Sequence, residues 1–391
     1  MVIPTNPFPR AMPSERATDT TPFAAMDVLE RASELEGVVH MEVGEPDFRP
    51  PEAATDAAVA ALRAGDDDYG TSRGTASLRE AISDYYAETY GVDVPTNRII
   101  VTPGSSPALL LALLSIVDPG EEVVLTDPYY ACYPNFVRQA EGQVRTVELD
   151  PADGFEPSVD AYEQVVDDDT AAMLLNSPAN PTGAVTSGET LSDLVDLANR
   201  TDTMVVSDEV YHGLAFDAEE HSVLEYTDDA FVLDGVSKRY GMTGWRLGWA
   251  VCPPEYVEAI NRLSQNVLIC APPFVQAGAE AAIREGTEQL AEHREAYRER
   301  RDLLLEAAER WGFDVGYTPE GAYYLLLDVS DLGDAFDVAD VFLEEAGVAM
   351  TPGPDFGDGA TDYLRASFAR STEDVREAIE RIDELLATTT T

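Results

Sequence analysis

The stretch GVSKRYGMTGWRLG, residues 235–248, holds Lys238, and the 391-residue chain has no second lysine although it has 24 arginines. Where this protein needs an ordinary cation, it uses arginine. A retained amine therefore points to chemistry that a guanidinium cannot perform, namely loss of a proton and attack on a carbonyl. Upstream, AFVLD (230–234) is a short apolar run ending in an acid and reads as a buried strand that delivers Gly235, Val236 and Ser237 to a turn. Lys238 then stands at a strand end, where α/β sheets place ligands. Downstream, Gly241, Gly244 and Gly248 loosen the chain enough for Arg246 to fold back toward the amine. An amine beside an anion-binding guanidinium suits a phosphorylated aldehyde.

Outward from this stretch the same pattern repeats. From Ile99 the runs IIVT, EVVLT, VRTVEL, AAMLL, TMVVS, FVLD and LGWAV are interleaved with helical stretches at 105–117, 130–140 and 187–199. Short apolar, β-branched runs separated by helices predict an α/β fold, a mainly parallel sheet sandwiched by helices. Residues 22–35 and 51–64 read as earlier helices, the second stopped by Gly65. Beyond Pro272 the pattern changes to long helices at 274–286 and 288–311. GAYYLLLDV, a helix at 337–346, GVAMTPG, YLRASFA and a last helix at 372–386 follow, which predict a smaller α+β domain. The expected organisation is an N-terminal segment 1–50 joined to the small domain, a large domain 51–275, and a C-terminal small domain 276–391.

Charge narrows the function classes. The chain carries 74 acidic residues against 25 basic ones, a net charge of −49, yet 45% of its residues are hydrophobic. A chain with that much to bury is a folded protein with an acidic skin rather than a disordered one. Such a surface is screened within about 3 Å at 1 M salt, so the composition is that of a halophilic, cytoplasmic enzyme. It excludes nucleic acid and anionic membranes as partners, since both select basic patches. Cys132, Cys252 and Cys270 are too few and too scattered for a disulfide framework or a zinc site, and read as small buried residues. No metal site is expected. The Pro-rich opening, residues 1–16, is not a signal peptide. The longest apolar run, 108–117, is half the roughly 20 residues that a membrane span needs.

Several loops after the strands carry polar groups suited to a ligand. Pro103-Gly104-Ser105-Ser106 opens the helix at 105 with unpaired backbone N–H groups, which serve either a phosphate or a serine cap. Asp208 ends a buried strand and needs a partner there; Glu209 reads as its solvated neighbour and His212 as a loop residue. Arg365 lies mid-strand in YLRASF, where it is either half of an internal salt bridge or the receptor of a bound anion.

The order G-V-S-K, two residues, G-M, one residue, G, one residue, R-L-G closely resembles the pyridoxal-phosphate attachment site of the class I/II aminotransferases, the aspartate aminotransferase family of fold type I. Other motifs follow in that family's order: VGEPDF (43–48), DDDYG (66–70), TPGSS (102–106), DPYYACYP (127–134), NSPANPTG (176–183), SDEVY (207–211) and YLRASF (363–368). The resemblance implies Lys238 as the attachment and proton-transfer residue. It implies Gly104, Ser105, Ser106, Ser237 and Arg246 around the cofactor phosphate, with Tyr69 reaching that phosphate from the partner subunit of a homodimer. Tyr130 would stack on the pyridine ring, with Tyr129 and Tyr133 as substitutes. Asn180 and Tyr211 would bind the ring hydroxyl and Asp208 the ring nitrogen, while Gly44 and Arg365 would take the substrate carboxylate. The implied activity moves an amino group between an L-amino acid and a 2-oxo acid, 2-oxoglutarate being one partner. A lyase or decarboxylase on the same scaffold is the alternative, because a fold does not fix which bond breaks. A DNA-binding regulator is excluded by the charge. A second substrate carboxylate would call for a further cation, and Arg16 and Arg73 are the candidates.

Overall fold

The structure, a computed structural model, describes residues 13–313 and 315–389; residues 1–12, most of the Pro-rich opening of the N-terminal segment, lie outside the described residues. The described strands are β1 (Val39–His40), β2 (Ile99–Thr102), β3 (Glu122–Asp127), β4 (Gln143–Glu148), β5 (Thr170–Asn176), β6 (Met204–Asp208), β7 (Ala230–Gly235), β8 (Gly248–Val251), β9 (Tyr324–Asp328), β10 (Val348–Ala349), β11 (Thr351–Pro352) and β12 (Tyr363–Ser367). Seven of them form the main sheet in the order β2-β8-β7-β6-β5-β3-β4. The runs are apolar throughout because both faces are covered. Val124, Met173, Val205 and Val232 pack into one core, while their neighbours Val123, Ala172, Val206 and Phe231 pack into another on the opposite face.

All pairings from β7 to β4 are parallel. β8 runs against both of its neighbours, so its beginning lies at the edge where the parallel strands end. Glycine permits this crossing. A Cβ on Gly248 would sit 2.6 Å from the backbone nitrogen of Ser105, and one on Gly235 would sit 2.9 Å from the Leu247 carbonyl oxygen.

Several expected elements shift at their ends. The helix expected at 130–140 shrinks to Tyr133–Gln139, because Pro134 starts it, which leaves Tyr130 in an irregular wall. The helix expected at 337–346 splits into Ala335–Val341 and a π-helical turn, Phe342–Ala346, ended by left-handed Gly347. The strand-like run VVHMEVG contributes only two strand residues. Of the cysteines read as buried, Cys252 is, but Cys132 and Cys270 are partly exposed.

The smaller α+β domain contains the antiparallel sheet β11-β12-β9. Its second, two-stranded sheet joins distant parts of the chain: β1 pairs in parallel with β10, Val39 opposite Val348. Tyr323, Leu325, Phe368 and Ile379 share one core there with Met41 from the N-terminal part. Among the described residues no helix is long and apolar enough to cross a membrane.

Candidate active site

A cavity of about 240 Å³ opens at the edge where the parallel strands end, the position expected for a ligand of an α/β sheet. Of the residues proposed from sequence, Gly44, Ser105, Ser106, Tyr130, Tyr133, Asn180, Asp208, Tyr211, Ser237, Lys238, Arg246 and Arg365 line it, while Gly104, Tyr69, Tyr129, Arg16 and Arg73 do not. Gly104 stands just behind the lining: a Cβ on it would come within 2.6 Å of the Arg246 guanidinium, and its φ of +100° is one that glycine takes readily. Tyr69 is 83% exposed in the loop after helix Glu52–Ala64 and does not reach the cavity of its own chain.

Each strand end delivers its group. After β2, helix Ser105–Ile116 begins at the cavity with no side-chain cap, so its first amides and the Ser105 and Ser106 hydroxyls are available to an anion. Arg246 and Ser237 line the same cavity. Arg246 comes just before β8 rather than after a strand, and the reversal of β8 brings it to this edge; its Nη1 donates to the Thr243 carbonyl at 2.9 Å, which aims the side chain back over Gly104. After β7, the Lys238 Nζ donates to the carbonyl of Gly44 at 2.9 Å and lies 5.8 Å from the centre of the Tyr211 ring. Gly44 admits no side chain, since a Cβ would fall 1.7 Å from the Tyr324 hydroxyl.

At the end of β6, Asp208 accepts a hydrogen bond from the Tyr133 hydroxyl at 2.8 Å and one from the Val210 amide at 3.3 Å. Burial pushes its carboxyl up to about 6, against the opposing pull of those donors and of Lys238. At neutral pH it is an ionised carboxylate in a dry place, suited to a cationic ring nitrogen. Its backbone carbonyl accepts from Asn176 Nδ2 at 2.8 Å, and Asn176 Oδ1 accepts from the amide of Asn180 at 2.9 Å. The hydroxyls of Tyr211 and Tyr324 are 2.8 Å apart; burial, with Tyr324 close by, drives Tyr211 well above its ordinary value, so it stays a donor.

Arg365, in the middle of β12, is 2% exposed. Its guanidinium donates to Asn180 Oδ1 at 3.0 Å, to the Glu42 carbonyl, and to Thr351 Oγ1 at 3.3 Å. It lies against the Tyr324 and Phe356 rings. Among the described residues it makes no salt bridge and its buried Nε has no hydrogen-bond partner, the Asp355 carboxylate only feeling its charge from further off, so a direct internal salt bridge is not formed and an anion receptor fits.

Two readings change. Glu209, expected in solvent, is 1% exposed. Successive strand residues face opposite ways, so Asp208 meets the cavity while Glu209 turns away beneath the loop at Ser222. There its Oε1 accepts from Ser207, Ser222 and the Val223 amide, and burial pushes its carboxyl up to about 8. His212, read as a loop residue, is buried too, with Nδ1 2.6 Å from the Tyr90 hydroxyl. Burial and the Arg239 charge hold it far below its usual range, so its 3.4 Å contact with Glu209 is not an ion pair. The residues that sequence reasoning missed or misassigned are Tyr133, which bonds Asp208 instead of substituting for a stacked ring, and Asn176, Tyr324, Phe23 and Met26. Asn176 carried a signal in its place at a strand end. The others did not, because they reach the cavity from other elements.

Residues 36–382 match the family model for aminotransferase class I and II. The chain belongs to that family. The aminotransferase is 36% identical over 383 residues to (5-formylfuran-3-yl)methyl phosphate transaminase of Methanocaldococcus jannaschii, covering 96% of this chain and 100% of the relative. To the aspartate/prephenate aminotransferase of Thermus thermophilus it is 37% identical over 381 residues, covering 95% and 98%. It superposes on the Thermus thermophilus aspartate aminotransferase solved with maleate at a TM-score of 0.91, with 37% identity and coverage of 95% of this chain and 99% of that one. It is thus a pyridoxal-phosphate-dependent enzyme of fold type I. Its own residues fit that cofactor: an uncapped helix start with serines and Arg246 for a phosphate, a buried carboxylate for a ring nitrogen, and the one lysine of the chain in the same cavity.

Proposed function

We propose that Lys238 is both the cofactor's attachment point and the residue that moves the proton during amino-group transfer from an L-amino acid to a 2-oxo acid, with 2-oxoglutarate as one acceptor. The observation that carries this reading is the position of the chain's only lysine, at the end of β7 in a cavity with Asp208, Arg246 and Arg365. When bound, the cofactor supplies an aldehyde with which amines condense and a ring that withdraws electrons from the substrate. The remaining roles belong to the protein. Ser105, Ser106, Ser237, Arg246 and the helix start behind Gly104 hold the phosphate. Asp208 keeps the ring nitrogen protonated, with Tyr133 fixing the carboxylate. Asn180 and Tyr211 hold the ring hydroxyl, Tyr130 stacks on the ring, and Arg365 with the Gly44 turn receives the α-carboxylate. Lys238, once released, takes a proton from the substrate's α-carbon and returns it to the cofactor.

The relatives act on different substrates by name, among them aspartate, prephenate and valine with pyruvate, so likeness alone leaves the amino donor open. Further parts of the reading are a homodimer in which Tyr69 reaches the neighbouring phosphate, the domain division at residues 50 and 275, a cytoplasmic location and adaptation to high salt. The exposure of Tyr69 together with Val59, Leu62, Val267 and Ile269 supports the dimer.

Borohydride reduction of the cofactor-loaded enzyme, followed by peptide mapping, tests the central assignment. The label is expected on Lys238, and Lys238→Arg is expected to be inactive although charged. A visible cofactor band that persists in Lys238→Ala removes the assignment.

A further inference from the structure

We infer that the substrate side chain is received by an apolar wall made of Phe23, Met26, Leu109 and Phe136, so that the amino donor is an aromatic or branched aliphatic L-amino acid rather than aspartate. This rests on the site reading above, which directs the α-carboxylate to Arg365 and the amino group to Lys238. The third substituent must then turn to whatever part of the cavity those groups leave free.

Among the described residues of this chain, that part has no cation of its own to offer. Among the described residues lining the cavity the cations are Lys238, Arg246 and Arg365, and each already has a task. Arg16 and Arg73, the candidates for a distal carboxylate, are paired with Glu141 and Glu258 and do not line it. The apolar wall is fixed in place from several elements. Thr21 donates its amide to Asn135 Oδ1 at 3.1 Å and is bonded by Asn135 Nδ2 at its hydroxyl at 3.0 Å. These bonds tie the segment carrying Phe23 and Met26 to helix Tyr133–Gln139, which carries Phe136. Phe23 meets the Tyr130 ring edge-on at 6.0 Å, and Leu109, 2% exposed, presses in from helix Ser105–Ile116.

Against this wall a β-carboxylate would exchange water for carbon, with no cation of this chain's described residues to offset the loss, whereas a phenyl or isobutyl group gains from leaving water. Met26 at the rim is 48% exposed. An acceptor as long as 2-oxoglutarate can therefore leave its distal carboxylate in solvent, where the shorter aspartate cannot.

The test is a rapid-mixing half-reaction: the cofactor-loaded enzyme in molar potassium chloride is mixed with L-phenylalanine, L-leucine or L-aspartate, and the loss of the visible cofactor band is followed. No acceptor is present, so only the donor is being read. Second-order rate constants for phenylalanine and leucine are expected to exceed that for aspartate by at least about tenfold, the range a single side-chain subsite supplies. Aspartate reacting as fast or faster overturns the inference and leaves the aminotransferase site standing. Reaction with none of the three also overturns the inference, and the borohydride label on Lys238 then decides separately whether the site assignments stand. Met26→Arg, at an exposed position that folding tolerates, places a cation at the rim of the wall. It is expected to raise the aspartate rate constant by about tenfold or more while lowering that of phenylalanine. No change in either locates the substrate side chain elsewhere and overturns the inference.

Discussion

Arg365 is a buried cation in no ion pair among the described residues, held by two carbonyl oxygens and a hydroxyl, with the Asp355 carboxylate feeling its charge from further off; in the proposed reading it receives the substrate carboxylate. Replacing it with leucine should raise KM steeply and lower kcat/KM by roughly a hundredfold, as two charge-assisted hydrogen bonds are lost. The cofactor's absorption band should persist, because the lost contact is to substrate; a variant that cannot retain cofactor would show the arginine to be structural. The signals legible at this scale were chemical ones: one amine in a chain of arginines, one acid at a strand end, one charge in mid-strand. Glu209 was illegible for a physical reason. Next to Asp208 in an acid-rich chain it reads as surface, and only the strand's alternation together with the loop at Ser222 shows that it is buried and bonded.

At the scale of elements, that buried glutamate, one residue past the end of β6, is expected to make this strand end sensitive to pH. Its carboxyl is displaced from 4.5 up to about 8 by burial. The folded state therefore binds the proton more tightly than the unfolded one, and the stabilisation is complete below 4.5 and is lost as pH rises through about 8. Glu209→Gln keeps an Oε1 to accept from Ser207, Ser222 and the Val223 amide and removes the titration. The melting temperature of the variant minus that of the wild type, both without cofactor, should climb between pH 4.5 and pH 8. A flat difference would mean that the carboxyl does not titrate in that window. The order of strands and helices could be read from periodicity, since apolar runs of four to seven residues between helices have few other solutions. Element ends could not, because Pro134 decides where one helix starts and a π-helical turn reshapes another. Nor was the reversal of β8 visible. LGWAV is as apolar as its parallel neighbours, and the glycine contacts that seat it involve residues far away in sequence.

For the whole molecule, a net charge of −49 must be screened for the compact state to be favoured. Melting temperature should rise between low-salt buffer and molar potassium chloride, and an unchanged value would count against adaptation to salt. The dimer has its own test. If Tyr69 acts in trans, a hybrid of one Tyr69→Ala subunit and one Lys238→Ala subunit has one site with both lesions and one with neither. Co-refolding the two impaired variants should then restore activity above either parent, and no gain with hybrids confirmed would place Tyr69 outside the neighbour's site. A last consequence concerns the order in which the chain emerges from a ribosome. β1 lies against β10, made some three hundred residues later and followed by the strand carrying Arg365. Long-range pairings of this kind form late. The segment bearing Phe23, Met26 and Gly44 can dock early on helix Tyr133–Gln139 through Thr21 and Asn135, but its strand β1 has no partner until β10 is made. A nascent chain can thus complete the large sheet while its cleft still lacks the wall that carries Arg365, and the site is finished only when the last strands close on the first.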